Sequence, residues 1–301
     1  MDFRQKLTAR IAASGSNLCV GLDIRADAAD DATKRQIIQI IEETAPFAAA
    51  YKPNAAYFEA LGWQGLKMLS EVLKAIPADI PVVYDVKRGD IGETQGYYAK
   101  ACFDQLGVDA VTLNPFMGRD TLEPFLKYAD KGLYLLAVTS NPGAVDIELQ
   151  SILSVKEFGG AVVGRLIPQP PREAEAHADN EGQSRSRGDS GGACGSKRPA
   201  DEKSRQVFEI VAEMTKASEQ AGLVVGLTNA SGDVLAKIPD VPLLIPGLGA
   251  QGGDLAALKG SVRRAPLLVN VSRGITAASD DLTFGSRAKM WKDKIADALS
   301  A

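Results

Sequence analysis

The sequence predicts an α/β protein, a single (β/α)8 barrel, and three observations carry that prediction. Eight short apolar runs recur along the 301 residues, and they read as continuous apolar stretches rather than alternating ones, as strands buried on both faces of a parallel sheet do. Segments of helical period separate them, which gives the repeating strand–helix order of such sheets. One tract of 36 residues, 168–203, carries no Val, Ile, Leu, Met, Phe, Trp or Tyr; setting it aside leaves 301 − 36 = 265 residues, the size of an ordinary barrel. Counting strands does not show closure, so an open doubly wound sheet is the alternative.

The chain opens with MDFRQKLTARIAAS, in which Phe3, Leu7 and Ile11 recur at helical spacing and charges interrupt every apolar stretch. That pattern is an amphipathic first helix, not a signal peptide. The strand candidates follow as Leu18–Ile24, Phe47–Lys52, Pro81–Val86, Asp109–Asn114, Leu133–Thr139, Leu223–Leu227, Val241–Pro246 and Pro266–Val271. Helical patterns over Lys34–Glu43, Gly65–Ala75, Thr94–Leu106 and Val207–Ala221 lie between them, and Trp63 and Trp291 fall in helical patterns as packing residues. The tract from Pro168 to Lys203, between the fifth and sixth strands, cannot bury enough apolar surface to offset its ordering entropy, and it is expected to be a disordered surface insertion within one 1–301 domain.

Composition excludes several function classes. Lys and Arg number 34 against 38 Asp and Glu, a net charge of −4, where a protein held on phosphates of a nucleic acid shows a basic excess. The single His177 and the scattered Cys19, Cys102 and Cys194 offer no clustered soft ligands, so no metal site is expected. His177 and Cys194 also fall inside the apolar-poor tract, away from any expected chemistry. An odd cysteine set without close pairs gives no disulfide framework and fits a reducing, cytoplasmic setting. No apolar run approaches the roughly 18 residues of a membrane span.

In a barrel, chemistry sits where strands end and the following loops begin. The polar residues there are Asp23, Lys52, Asp85, Lys87, Asn114, Ser140, Gln251 and Arg273. The densest group is YDVKRGDIGET, Tyr84 to Thr94. Alternation along a strand points Asp85 and Lys87 to one side and Val86 to the other, Gly89 breaks the strand, and Asp90 projects from the turn. Alone, this reads as a solvated strand-end ion pair worth under about 1 kcal/mol. Lys52 at the end of the neighbouring strand brings a second ammonium to the same mouth, and two Lys with two Asp in one pocket are costly to assemble without a function. The stretch IPGLGAQGGD places Gly247, Gly249 and Gly252 in GxGxxG spacing after the seventh strand. A dinucleotide fingerprint belongs in the first strand–helix unit, whereas barrels hold phosphate in the loops after the last two strands. Arg273 in the next loop supplies a fork suited to a phosphate dianion. Asp23 either accepts from a ribose hydroxyl or caps its loop; Ser140 in TSNPGA reads from spacing as a turn residue.

Together, Asp85-x-Lys87-x-x-Asp90-Ile91-x-x-Thr94 resembles the signature of the orotidine 5′-monophosphate decarboxylases. The stretches CVGLD, YKPNAAYFEALG, TLNPFMGRD, TSNPGA, IPGLGAQGG and SRG are similar to the longer bacterial-type branch of that family, from about Leu18 to the end of the eighth strand. The resemblance implies a carboxy-lyase of pyrimidine biosynthesis that converts orotidine 5′-monophosphate (OMP) to UMP and CO2 with no cofactor and no metal. It implies a charged network of Lys52, Asp85, Lys87 and Asp90, with Lys87 the proton donor to C6. It further implies that Asp90, Ile91 and Thr94 reach into the partner's site of a homodimer, that Asp23 holds the ribose and Ser140 the pyrimidine, and that Gln251 and Arg273 hold the phosphate. Two alternatives stand beside it. Metal-dependent sugar-phosphate decarboxylases or aldol-type synthases share the Asp-x-Lys-x-x-Asp motif but are expected to carry an acidic ligand where this chain has Lys52. A non-catalytic phosphate-ligand sensor would have no need of the Lys–Asp–Lys–Asp set.

Overall fold

The computed structural model describes residues 1–158, 161–167, 204–247, 255–259, 263–277 and 280–300. The expected insertion 168–203, with His177 and Cys194, lies outside the described residues, as does Gln251 with Gly249 and Gly252. Among the described residues eleven strands are formed: β1 (Leu18–Gly21), β2 (Ala50–Lys52), β3 (Val83–Arg88), β4 (Ala110–Leu113), β5 (Gly132–Val138), β6 (Ser151–Phe158), β7 (Ala161–Ile167), β8 (Ser204–Gln206), β9 (Ala221–Val225), β10 (Leu243–Ile245) and β11 (Leu267–Val271). The helices are α1 (Phe3–Ser14), α2 (Asp31–Thr44), α3 (Ala55–Glu59), α4 (Gly62–Leu73), α5 (Gly92–Lys100), α6 (Glu123–Leu126), α7 (Val207–Met214), α8 (Gly232–Lys237), α9 (Arg273–Thr276) and α10 (Phe284–Ser300).

Eight strands form one parallel sheet in the order β2-β1-β11-β10-β9-β5-β4-β3. Isolated parallel bridges from Tyr51 to Val82 and from Asn54 to Asp85 bring β2 beside β3, so the barrel is nearly closed and the open-sheet alternative falls away. Each of the eight strand candidates corresponds to one of these strands. The outward faces carry the larger core, in which Ile37, Ile40 and Ile41 of α2, Met68, Leu69 and Val72 of α4, Phe208 of α7 and Ile295 of α10 cover the sheet. The interior is a separate cluster of Cys19, Ala50, Val83, Ala110, Tyr134, Val224, Leu244 and Leu268.

The first helix seals the N-terminal end of that interior. Asp2 caps it through a reciprocal pair with Gln5, and Gly15 ends it in a left-handed conformation with φ 57°. Phe3 and Leu7 are buried with the interior cluster, the Phe3 ring meeting Tyr134 edge-on at 5.9 Å. Gly132 makes this fit: a Cβ there would stand 2.1 Å from the Phe3 ring. Polar ties surround the plug, with Lys6 Nζ 2.8 Å from Asp109 Oδ1 and Arg10 donating to the carbonyl of Ala48 at 2.9 Å.

Two helices differ from the periodicity. The pattern over Val207–Ala221 ends at Met214 because a 3-10 turn, Thr215–Ala217, and the start of β9 at Ala221 consume the remainder. The pattern over Thr94–Leu106 is α5 continued by a π-helical turn, Ala101–Gln105. A three-stranded antiparallel sheet, ordered β7-β6-β8, leaves the connection between β5 and β9, beyond the eight strands that the apolar runs predict. Its hairpin is legible in SILSVKEF and AVVGRLI flanking Gly159-Gly160, a two-residue turn signal.

Candidate active site

The inward positions of the barrel strands change character two residues toward the C-terminal end. Ala50 gives way to Lys52, Val83 to Asp85, Ala110 to Thr112 and Leu268 to Asn270, and all four polar residues line a cavity of about 880 Å³ at that end. Leu136, Val224 and Leu244 of β5, β9 and β10 line it as well, so a polar wall faces an apolar one.

Asp85 is the hub of the polar wall. Its backbone amide donates to the carbonyl of Pro53 at 2.9 Å, which pins β3 beside the loop after β2. Its Oδ2 accepts from Lys52 Nζ at 2.8 Å and Asn54 Nδ2 at 3.4 Å, and its Oδ1 from Lys87 Nζ at 2.5 Å and Thr112 Oγ1 at 2.9 Å. A buried carboxylate with four donors is fully satisfied. Burial works to raise its pKa, but the ammonium groups of Lys52 and Lys87 outweigh that and hold the carboxyl well below its usual range. Lys52 is only 3% exposed; burial would push its ammonium pKa down, yet the charges of Asp85 and Asp23 raise it above the ordinary 10.5. The pair is therefore ionised across the neutral range.

Lys87 reaches the site by a backbone device. It has a φ of 45°, alone among described non-glycine residues in the positive region, and the β3–β4 register shifts between Tyr84 and Arg88. The amide of Lys87 donates to Thr112 Oγ1 at 2.9 Å, so one hydroxyl accepts from the Lys87 backbone and donates to Asp85. Asp85 and Lys87 do face one cavity, as alternation anticipates, but through a bulge and not a regular pleat. The Lys87 side chain is 47% exposed, which leaves its ammonium open to the cavity where Lys52 is enclosed.

Of the remaining expected residues, Asp23, Ser140 and Arg273 line the same cavity, and Asn114 joins them. Asp90, Ile91 and Thr94 do not. Asp90 Oδ1 accepts from the amide of Ile91 at 2.8 Å, Ile91 is 63% exposed, and Thr94 is exposed on α5. The sequence reading missed Thr112, Asn270, Arg25 and Glu148, all of which line the cavity. Thr112 was accessible to it, because it shares a strand face with Asn114. Glu148 comes from a loop and left no signal; burial pushes its carboxyl up, against hydrogen bonds from the Thr139 amide and hydroxyl. Among the described residues, no group of three or more His, Cys, Asp or Glu can hold a metal ion. Nor is any helix there long and apolar enough to cross a membrane.

A profile of the orotidine 5′-phosphate decarboxylase / HUMPS family matches residues 16–174. The chain is 36% identical to the orotidine 5′-phosphate decarboxylase of Herpetosiphon aurantiacus, over 99% of this chain and 96% of that protein. It is similar to the solved OMP decarboxylase of Leishmania donovani, with a TM-score of 0.73 and 34% identity across 100% of both chains. It also matches the solved UMP synthase of Leishmania donovani, with a TM-score of 0.74 and 35% identity over 99% of this chain and 56% of that one.

Proposed function

The chain belongs to the orotidine 5′-phosphate decarboxylase / HUMPS family, and from that premise we propose that its cavity converts OMP to UMP and CO2, a carboxy-lyase step of pyrimidine biosynthesis. The observation that carries the reading is the alternating Lys52–Asp85–Lys87 network, enclosed at Lys52 and open at Lys87.

The chemistry asks for such a network. When the bond from C6 to the carboxylate breaks, CO2 departs and the electron pair stays at C6 in the ring plane, where no ring position delocalises it. A cation already in place must meet that charge. On this reading Lys87 Nζ stabilises the developing carbanion and then gives its proton to C6, while Asp85 stands where the substrate carboxylate is bound and favours its departure. Lys52, neutralised by Asp85 and Asp23, keeps the hub ionised. Unit charges about 4 Å apart gain roughly 4 kcal/mol at an effective dielectric of 20. Enzymatic rate enhancements call for roughly 8–23 kcal/mol. Binding of the remote phosphate therefore has to supply part of the difference.

The other roles follow the cavity wall. Arg273 takes the 5′-phosphate, Asp23 the ribose and Ser140 the pyrimidine edge, against the apolar side formed by Leu136, Val224 and Leu244; for Gln251, outside the described residues, a share in the phosphate rests on the family resemblance alone. Asp90, Ile91 and Thr94 stand outside the cavity of their own chain. The exposure of Ile91 and Thr94 supports a homodimer in which the three complete the partner's site. The chain reads as one barrel unit working in the cytoplasm without metal or cofactor.

The test is the ultraviolet absorbance of OMP mixed with catalytic amounts of the protein in EDTA. Conversion to UMP is expected. No conversion in EDTA, with turnover of a sugar phosphate on adding Mg²⁺, would replace this reading by the metal-dependent one.

A further inference from the structure

The loop after β5 carries Ser140 into the cavity, and three neighbours hold it there. Asn229, in the turn after β9, donates its Nδ2 hydrogens to the carbonyl of Thr139 at 2.8 Å and to the carbonyl of Asn141 at 2.8 Å. One amide group thus brackets Ser140 on both sides. The turn that presents it is itself closed by the amides of Asn229 and Ala230, which donate to the carbonyl of Gly226 at 3.2 and 3.1 Å. Gly226 lies directly under Ser140: a Cβ there would stand 2.8 Å from the Ser140 nitrogen and 2.9 Å from its Cα. Its amide donates to the carbonyl of Val138 at 2.6 Å, so β5 and β9 stay hydrogen-bonded up to the loop. From the far side, Glu148 Oε2 accepts from the amide of Thr139 at 2.7 Å.

We propose that Asn229 is a positioning residue for substrate recognition, acting through Ser140. The inference rests on the OMP reading, in which Ser140 meets the hydrogen-bonding edge of the pyrimidine. A serine side chain is short and meets that edge only when its backbone is fixed, and here both flanking carbonyls are tied to one side chain. An amide fits this task and a carboxylate does not. Its two N–H groups match two carbonyl acceptors, whereas a carboxylate of the same shape would face both with like partial charge. Asn229 lines no part of the cavity, so its effect on substrate is indirect.

The experiment is a double-mutant cycle of Asn229→Ala with Ser140→Ala, read as KM and kcat for OMP, with the thermal midpoint of each variant recorded. Asn229→Ala should lower kcat/KM about tenfold, chiefly through KM, as expected for two lost hydrogen bonds. In the Ser140→Ala background the same change should cost less than about twofold, because its route to substrate is gone. The isosteric Asn229→Asp should lose at least as much as the alanine variant. It also carries the cycle should Asn229→Ala fail to fold. Equal losses in both backgrounds, near-normal kinetics of Asn229→Asp, or failure of both variants to fold would each overturn the proposal. A wild-type chain that does not turn over OMP would overturn the functional reading and this inference with it; turnover in the wild type with additive losses overturns the inference alone.

Discussion

The two ends of the barrel interior use the same strands and the same inward face to opposite purposes. At the N-terminal end the lining is apolar and closed, with Phe3 and Leu7 of α1 packed on Tyr134 and its neighbours. At the C-terminal end the next inward residues of β2, β3 and β4 are Lys52, Asp85 and Thr112, and the interior opens into the cavity. A step of two residues, about 6.6 Å along a strand, separates a packed core from a charge network. The lower layer supplies the hydrophobic burial that can sustain the upper one, because burying charges costs free energy that their mutual attraction only partly returns.

This contrast can be broken in three places. The largest effect is expected from Lys87→Ala. Turnover should fall by at least about 10³-fold, as for loss of a general acid that also stabilises charge. The thermal midpoint should hold, since Lys87 is half exposed; near-normal kcat would end the assignment. Next comes Asp85→Asn, which should damage both properties. It leaves Lys52 buried beside a neutral amide, at a cost of about 3–5 kcal/mol, together with loss of turnover.

The pH dependence sharpens the same point. The Asp85 pKa is lowered from 3.8 in the fold, so its contribution is present above pH 3.8 and fades as pH falls through the folded value. The Lys52 pKa is raised from 10.5, so its contribution is present below pH 10.5 and fades as pH rises past it. Unfolding free energy measured against pH should therefore show the gap between wild type and Asp85→Asn narrowing below pH 3.8 and level from about pH 4 toward neutrality; on the alkaline side it should narrow again, because burial lowers the pKa of a Lys52 deprived of Asp85 and the variant escapes its penalty by shedding that proton. A gap that changed between about pH 4 and 6 would mean that the Asp85 carboxylate is not ionised there. The smallest effect belongs to the closed end. Phe3→Ala should cost about 3 kcal/mol of stability in chemical denaturation, with kcat for OMP unchanged at 25 °C. A matching fall in kcat would show that the two ends are not independent.

How much of this was legible beforehand follows from range. The eight barrel strands are short apolar runs with local signals, and all eight were visible. So were Lys52, Asp85 and Lys87, whose spacing and strand-end placement are sequence properties. Phe3 and Leu7 announced a helix, but nothing in them told that it would plug the barrel, because Gly132 and Tyr134 lie about 130 residues away. Thr112 could be read from its face partner Asn114, whereas Glu148 and Asn229 act through contacts that form only when the loops after β5 and β9 meet. β8 pairs with β6 across some fifty residues and has too few residues to signal itself.

The positive φ of Lys87 carries one more consequence, for anyone who evolves this chain in the laboratory. A lysine held there works against its own backbone preference by about 1–3 kcal/mol, and glycine or asparagine would relieve it. A screen that rewards thermal resistance alone should thus enrich inactive clones at position 87. Variants recovered with Lys87 intact would be those in which heat resistance was gained elsewhere.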